Sequence, residues 1–315
     1  MGTPDFAVPT LEKLIDTGYN IVGVVTMPDK PIGRHQNQLQ ASPVKQCALR
    51  HGIQVLQPDK LKDEAFLTDL RALQADLQIV VAFRMLPEVV WNMPRLGTFN
   101  LHAALLPQYR GAAPINWAII NGDTQTGITT FFLDHHIDTG QVIQQEAIPI
   151  GPDDNAQDIH DRLMMLGADL VCQTVQDICN GTIRPIPQEQ MTTTQPLRPA
   201  PKIFRDTCQI HWDRHTAQTA HNFVRGLSPS PGAWTAVTLP DGRETTVKIL
   251  ATKITGTSTS HSDDGTVTLT SHDNRLLVRM TGGTLEITQL QAAGKKRMAA
   301  ADFLNGTDIQ GWTLT

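Results

Sequence analysis

Asn100, His102 and Asp138 bring a carboxamide, an imidazole and a carboxylate into one short stretch of a 315-residue chain. An amide N–H is a neutral donor, suited to an oxygen that gains negative charge as a carbonyl turns tetrahedral. A histidine takes or gives a proton near neutral pH. An aspartate can orient that ring, favour its charged form, or accept a proton from an attacking amine. No serine or cysteine nucleophile accompanies the three, so the chemistry suggested is direct acyl transfer between two bound molecules without a covalent enzyme intermediate. Singly, each residue has an ordinary structural role as a turn former or a satisfied histidine. The ordered combination is what points to catalysis.

The elements that must hold this trio are legible around it. Ile115 to Ile120 suits a helix and Gly127 to Leu133 a buried strand, so the stretch reads strand, loop, helix, strand. Asn100 and His102, two apart at a strand end, point to one side. The strand after the helix is expected to run parallel to the first, opening both C-terminal ends on the edge where open α/β sheets bind ligands. Upstream, Asn20 to Thr26 and Leu77 to Ala82 read as strands, while Ser42 to His51 and Asp63 to Gln74 read as helices. A long amphipathic helix over Asn155 to Asn180 ends at Gly181. Alternation of this kind specifies a doubly wound, mostly parallel, Rossmann-like sheet in an α/β domain over residues 1–184. Such domains open with a strand, yet Met1-Gly2-Thr3-Pro4 reads as the loop after one, with Thr3-Pro4 as a helix start. The central strand is therefore expected upstream of Met1.

Pro185 to Lys202 is proline-rich and poor in apolar residues, the composition of a linker, assigned here to 185–202. Beyond it, Trp234 to Val237, Thr246 to Ala251, Thr266 to Thr270, Arg275 to Met280 and Leu285 to Leu290 are short β-type runs. Asp241-Gly242, Asp264-Gly265, Asp273-Asn274 and Gly282-Gly283 punctuate them, and Ala217 to Arg225 adds a helix. This pattern over 203–315 suggests a small antiparallel barrel.

Composition is that of an ordinary soluble globular protein, with no apolar run long enough to span a bilayer and no signal pattern at Met1. Cys47, Cys172, Cys179 and Cys208 have neither C-x-x-C spacing nor the density of a disulfide scaffold, which points to a reducing cytoplasm. The net charge of −5 does not announce a nucleic-acid binder. From residue 201 onward, however, 12 Lys+Arg stand against 10 Asp+Glu, while the first 200 residues hold 14 against 21. The C-terminal part is thus the less repulsive surface for phosphate. His135-His136 beside Asp134 is not read as a metal site, because adjacent histidines diverge in an extended chain. Gly2-Thr3-Pro4 lacks the lysine spacing of a phosphate cradle.

Asn100-Leu101-His102, Leu105-Leu106-Pro107, Arg110-Gly111-Ala112-Ala113-Pro114 and Asp138-Thr139-Gly140 together resemble the folate-dependent formyltransferases. Further matches narrow this to the branch that formylates charged initiator tRNA: Gly2 to Pro9, Pro28-Asp29-Lys30-Pro31, Ser42-Pro43-Val44-Lys45, Arg225-Gly226-Leu227-Ser228-Pro229 and Gly294-Lys295-Lys296-Arg297-Met298. The resemblance implies a formyltransferase domain followed by a barrel of OB type. It implies 10-formyltetrahydrofolate as co-substrate, no metal, and initiator methionyl-tRNA as the acceptor partner of a monomer. It assigns catalysis to Asn100, His102 and Asp138. Folate contacts fall to Ala104, Leu105, Leu106 and Pro107 and, lining the pterin pocket, to Phe83, Met85 and Leu86. Ala104 departs from the usual serine. Arg34, in the polar loop Gly33 to Gln40, and the basic turn Lys295-Lys296-Arg297 are the expected tRNA contacts, although lysines are more usual in that loop. The alternative is an amino-sugar nucleotide formyltransferase or another enzyme using 10-formyltetrahydrofolate.

Overall fold

The computed structural model describes residues 1–32, 38–193, 195–256 and 267–314. They pack into two compact units: Met1–Gly111, Thr126–Ile148 and His160–Pro199 form the first, and Ala112–Gln125, Pro149–Ile159 and Ala200–Thr315 the second. The second unit thus takes in two short excursions from the region read as the α/β domain.

In chain order the elements of the first 184 residues are α1 (Val8–Asp16), β1 (Val24–Val25), β2 (Lys30–Ile32), β3 (Gln38–Gln40), α2 (Pro43–Arg50) and β4 (Val55–Leu56). They continue with α3 (Glu64–Ala72), β5 (Gln78–Val81), α4 (Glu88–Trp91), β6 (Thr98–His102), α5 (Pro114–Ile120), β7 (Gln125–Phe132), β8 (Val142–Pro149) and α6 (Ala156–Asn180). Helix starts follow local chemistry. Ser42 Oγ accepts from Lys45 N at 3.1 Å with Pro43 at the first turn, and Asp63 Oδ1 accepts from Ala65 N, each meeting an orphan donor of the first turn. Gly181, at φ 67°, follows the end of α6.

β1 pairs parallel with β4, and β5 pairs parallel with β6. Met1 and Gly2 lie between these pairs. Gly2 N donates to Val25 O at 3.0 Å, and Gly2 bridges Val81 in parallel sense. The terminal ammonium donates to Ile79 O, and burial pushes its pKa down to about 5. A side chain at Gly2 would meet Ala7 and the Val81 carbonyl, each at 2.8 Å, so only glycine allows this close approach.

The expected parallel sense fails at one point. β7 pairs antiparallel with β6, in the register Phe99↔Phe132 to His102↔Thr129. β8 returns beside β7, with Phe132 N bonded to Gln141 O. The sheet is therefore parallel through β6 and antiparallel beyond it. A crossover helix at α5 would restore strand sense, but α5 belongs to the second unit and packs on α7. No hydrophobic pattern within β7 reports its direction, because a strand buried on both faces reads the same either way.

The second unit carries α7 (Ala217–Gly226), β9 (Ala233–Thr238), β10 (Glu244–Gly256), β11 (Thr268–His272), β12 (Arg275–Met280), β13 (Gly283–Ala292), β14 (Met298–Ala299), α8 (Ala300–Asn305) and β15 (Thr313–Leu314). Its antiparallel sheet runs β11-β12-β13-β10-β9-β15, and the two ends of that path meet, making a nearly closed barrel. Asp273-Asn274, both at positive φ, form the tight β11–β12 turn. Ile210, Leu227, Ile249, Leu285 and Leu290 fill the core, each less than 2 % exposed. The Arg225-Gly226-Leu227-Ser228 motif is architectural within this unit. Arg225 Nη1 donates to the Gly151 and Asp154 carbonyls, and Ser228 Oγ donates to Leu250 O. Any side chain at Gly226 would strike Ile120 of α5 at 2.7 Å.

Candidate active site

Asn100 and His102 sit on one face of β6, as strand alternation requires. Opposite them on β7 stand Phe131 and Thr129. The His102 ring is buried, edge-on to Phe131 at 6.4 Å between centroids. Its Nε2 lies 2.9 Å from the Tyr109 carbonyl oxygen. A carbonyl only accepts, so Nε2 carries the hydrogen, and Nδ1 is the nitrogen left to gain or give a proton. Nδ1 faces Asp138 Oδ2 at 3.8 Å, with both side chains largely buried. Asn100 is half-buried, and among the described residues its carboxamide has no hydrogen-bond partner. It is the member of the trio left free for a ligand.

Asp138 reaches this place from a loop that turns back on itself. β7 runs away from the His102 end of β6, so Asp138, in the β7–β8 turn, must return over the sheet face. Asp134 organises that turn by accepting from His136 N and Thr139 Oγ1. Asp138 itself holds φ 56°, uncommon for a residue with a side chain. A Cβ on Gly140 would fall 1.7 Å from the Phe132 carbonyl, so the turn closes only on glycine. Gly111 N donates to Asp138 Oδ2 at 2.9 Å, tying the carboxylate to the Arg110-Gly111 segment. His102 and Asp138 thus meet, with Asn100 on the same strand face as His102, through a folded-back hairpin turn rather than a shared parallel edge.

The Ala104–Pro107 segment is held by Thr129. Its hydroxyl donates to Ala104 O at 2.6 Å and accepts from Leu106 N, while Gln145 Nε2 donates to Leu106 O and to the same hydroxyl. Ala104, Leu106 and Pro107 are buried, Leu106 in a cluster with Phe131 and Val142, and Leu105 packs over Gly127. Their side chains are core. What they do for the site is fix the backbone that follows His102.

Phe83, Met85 and Leu86 divide similarly. Segment 82–87 leaves β5 beside the end of β6, since Val81 pairs with Leu101. Leu86 is a core residue packed with Val80 and Val90, and Phe83 lies partly buried against that cluster. Met85 is 69 % exposed, an apolar side chain available to a ligand. Arg84 holds the segment by donating to the Asp59 and Pro58 carbonyls.

Of the expected tRNA contacts, Arg34 lies outside the described residues. Lys295, Lys296 and Arg297 are exposed on the turn joining β13 to β14, where Arg297 Nε donates to Gln289. His135 packs edge-on to Trp91 near Glu88, an arrangement of packing rather than metal ligation. The donor group with ligand spacing among the described residues is Glu12, Cys47 and His51. There Arg50 already engages Glu12, and burial raises the Cys47 thiol pKa, disfavouring the thiolate a metal needs.

Sequence reasoning missed the strap. The proline-rich segment is pinned along the first unit: Ile186 exchanges two backbone hydrogen bonds with Val142, and Tyr109 N donates to Arg198 O. Gln188 within it is buried beside the Asp138 turn. Composition records proline content, not what the intervening residues reach.

Comparison with known proteins now fixes the lineage. A formyl transferase family model matches residues 1–175, and that family's C-terminal domain model matches 202–308. The chain belongs to the formyl transferase family. It is 57% identical over 307 residues to the methionyl-tRNA formyltransferase of Parabacteroides distasonis, covering 97% of this chain and 94% of that one. The corresponding enzyme of Bacteroides thetaiotaomicron is 55% identical over the same shares of each chain. Among solved structures, the sugar 3N-formyl transferase WlaRD matches with TM-score 0.62 at 19% identity, covering 94% of this chain and 97% of that one. HypX from Aquifex aeolicus, in complex with tetrahydrofolic acid, matches with TM-score 0.58 at 18% identity over 93% of this chain and 48% of that one. At such identities these two speak for the formyltransferase fold alone.

Proposed function

We propose that this protein transfers the formyl group of 10-formyltetrahydrofolate to the free α-amino group of initiator methionyl-tRNA, giving N-formylmethionyl-tRNA for translation initiation. The observation that carries the reading is the Asn100 carboxamide, without a hydrogen-bond partner among the described residues, on the same face of β6 as His102, whose Nδ1 is faced by Asp138. Identity above half to methionyl-tRNA formyltransferases over nearly the whole chain favours the tRNA acceptor over an amino sugar.

The bound folate supplies a formyl carbon activated by its attachment to nitrogen. Asn100 donates an N–H to the formyl oxygen as negative charge gathers there, the point at which such a bond gains most. His102, charged at Nδ1, adds a second positive centre, and Asp138 stabilises that charge. Asp138 also takes up the proton shed by the attacking amine, through water; as the tetrahedral intermediate collapses, the formyl C–N bond to the folate breaks and the departing folate nitrogen takes a proton, releasing tetrahydrofolate. Met85 and Phe83 offer apolar surface to the pterin, while the buried Ala104–Pro107 segment sets the backbone beneath it. Lys295, Lys296 and Arg297 meet the tRNA backbone, and Arg34 the acceptor stem. Among the described residues no helix is long and apolar enough to cross a membrane, and the four cysteines are free; we place the reaction in the cytoplasm.

The test is incubation with labelled 10-formyltetrahydrofolate, charged initiator methionyl-tRNA and a competing amino-sugar nucleotide. Label is expected on the aminoacyl-tRNA. Label on the sugar alone overturns the acceptor assignment while leaving the donor assignment standing.

A further inference from the structure

Gln188 uses every hydrogen-bonding position it has. Its Nε2 donates to Asp138 O at 2.9 Å and to Gly140 O at 2.8 Å. Its Oε1 accepts from Arg110 Nε at 3.0 Å and from Arg110 Nη2 at 2.6 Å. A primary carboxamide has two donor hydrogens and two acceptor lone pairs, so none is left for a ligand. The residue is 3 % exposed, so any of these groups left unpaired there would be destabilising.

Joined by the hydrogen bond from Gly111 N to Asp138 Oδ2, these contacts close a ring around the proposed general base. From the Asp138 carbonyl the path runs through the Gln188 amide to the Arg110 guanidinium, along the chain to Gly111 N, and back to the Asp138 carboxylate. The ring restrains Asp138 at two points, its backbone and its Oδ2. Asp138 needs restraint, because its φ of 56° is a conformation that a side-chain-bearing residue keeps only when its surroundings impose it.

We infer that Gln188, lying in the proline-rich strap rather than in any element of the sheet, is a positioning residue that acts on the reaction through Asp138. It touches neither substrate. Its function is to hold the Asp138 turn so that the carboxylate stays opposed to His102 Nδ1, and it makes the strap part of the site. This inference rests on the reading of Asn100, His102 and Asp138 as the reacting set.

The experiment is a double-mutant cycle on the full-length enzyme, with Gln188→Glu and Asp138→Asn alone and combined, read as steady-state formylation of methionyl-tRNA. Gln188→Glu keeps the volume and the acceptor toward Arg110 but cannot donate to the two carbonyls. It should lower kcat roughly 10- to 100-fold, with KM for folate and for tRNA changed less than about threefold, the signature of an interaction felt in the transition state. In the Asp138→Asn background the same substitution should cost less than about threefold, because the group it acts through is already gone. An equal loss in both backgrounds, or a loss confined to KM, overturns the inference. Should Gln188→Glu fail to fold, Arg110→Lys weakens the ring from its other side and must show the same non-additivity. Full activity in Asp138→Asn alone would instead remove the active-site reading beneath it, so the two failures are distinguishable.

Discussion

Two carboxamides in the same unit have opposite lives. Asn100, near the end of β6, has no hydrogen-bond partner among the described residues, whereas Gln188, in the strap, has all four of its hydrogen-bonding positions filled. Both are primary carboxamides, and chemistry alone would not separate them. The difference is saturation. A polar group with nothing to bind is held ready for a ligand, at some cost to the folded state, and one with every bond made is architecture. The same contrast runs between Met85, exposed, and Leu86, one residue on and buried in the core.

Substitutions can break or sharpen that contrast. The largest effect is expected from Asn100→Ala. Turnover should fall about 10²- to 10³-fold, while the thermal midpoint stays near wild type, since no internal hydrogen bond is lost. A large drop in stability would show that Asn100 is architecture after all. Gly140→Ala should act the other way round, on folding first. A methyl group 1.7 Å from the Phe132 carbonyl forces the turn open, and denaturant titration should register a loss on the order of 2 kcal/mol or more.

Thr129→Val probes the other saturated hub. It leaves Ala104 O without its hydroxyl donor, Leu106 N without an acceptor and Gln145 without one of its two partners. A destabilisation of about 1–3 kcal/mol is expected, with a matching rise in KM for folate if the segment after His102 shapes that pocket. Equilibrium unfolding and steady-state kinetics on one preparation would check both.

The second unit offers a smaller test, by pH. His221 is saturated in the manner of Gln188: Nε2 donates to Pro152 O, and Nδ1 accepts from Thr252 Oγ1. Burial, chiefly, with Arg225 nearby, lowers its pKa below 6.5; the Pro152 carbonyl and Asp153 partly oppose the shift. The folded state thus prefers the neutral ring, while the unfolded chain binds a proton near pH 6.5. Stability from this group should be complete above pH 6.5 and decline as pH falls through the folded-state value. His221→Gln should flatten that dependence in melts between pH 7.5 and 5; an unchanged slope would contradict the assignment. The smallest effect belongs to Lys295, Lys296 and Arg297 changed together to alanine. These exposed charges should alter tRNA KM by only a few-fold and reduce its salt dependence modestly, with folate KM untouched.

Much of this was legible in the chain because it is local. The strands and helices announce themselves by period, the caps Ser42 and Asp63 by residue type, and Asn100 and His102 share a face because strands alternate. Asp138 could be named from its motif but not placed, since its position depends on β7 running antiparallel, which a strand buried on both faces does not encode. Leu86 and Leu106 resembled ligand contacts and are core, because an apolar side chain carries no mark of what it will face. Gln188 was passed over altogether, an amide among prolines with no periodicity to flag it.

By itself, then, the sequence determined the family, the α/β and barrel classes, and the kinds of groups available for acyl transfer. All of these follow from residue identity and near-neighbour spacing. Only the tertiary structure decided strand sense at β7, the return of Asp138 to His102, and the closing of a ring through Gln188, fifty residues further along the chain. Those outcomes depend on which distant polar groups find partners when water is excluded, a property of the packed molecule that no segment carries alone.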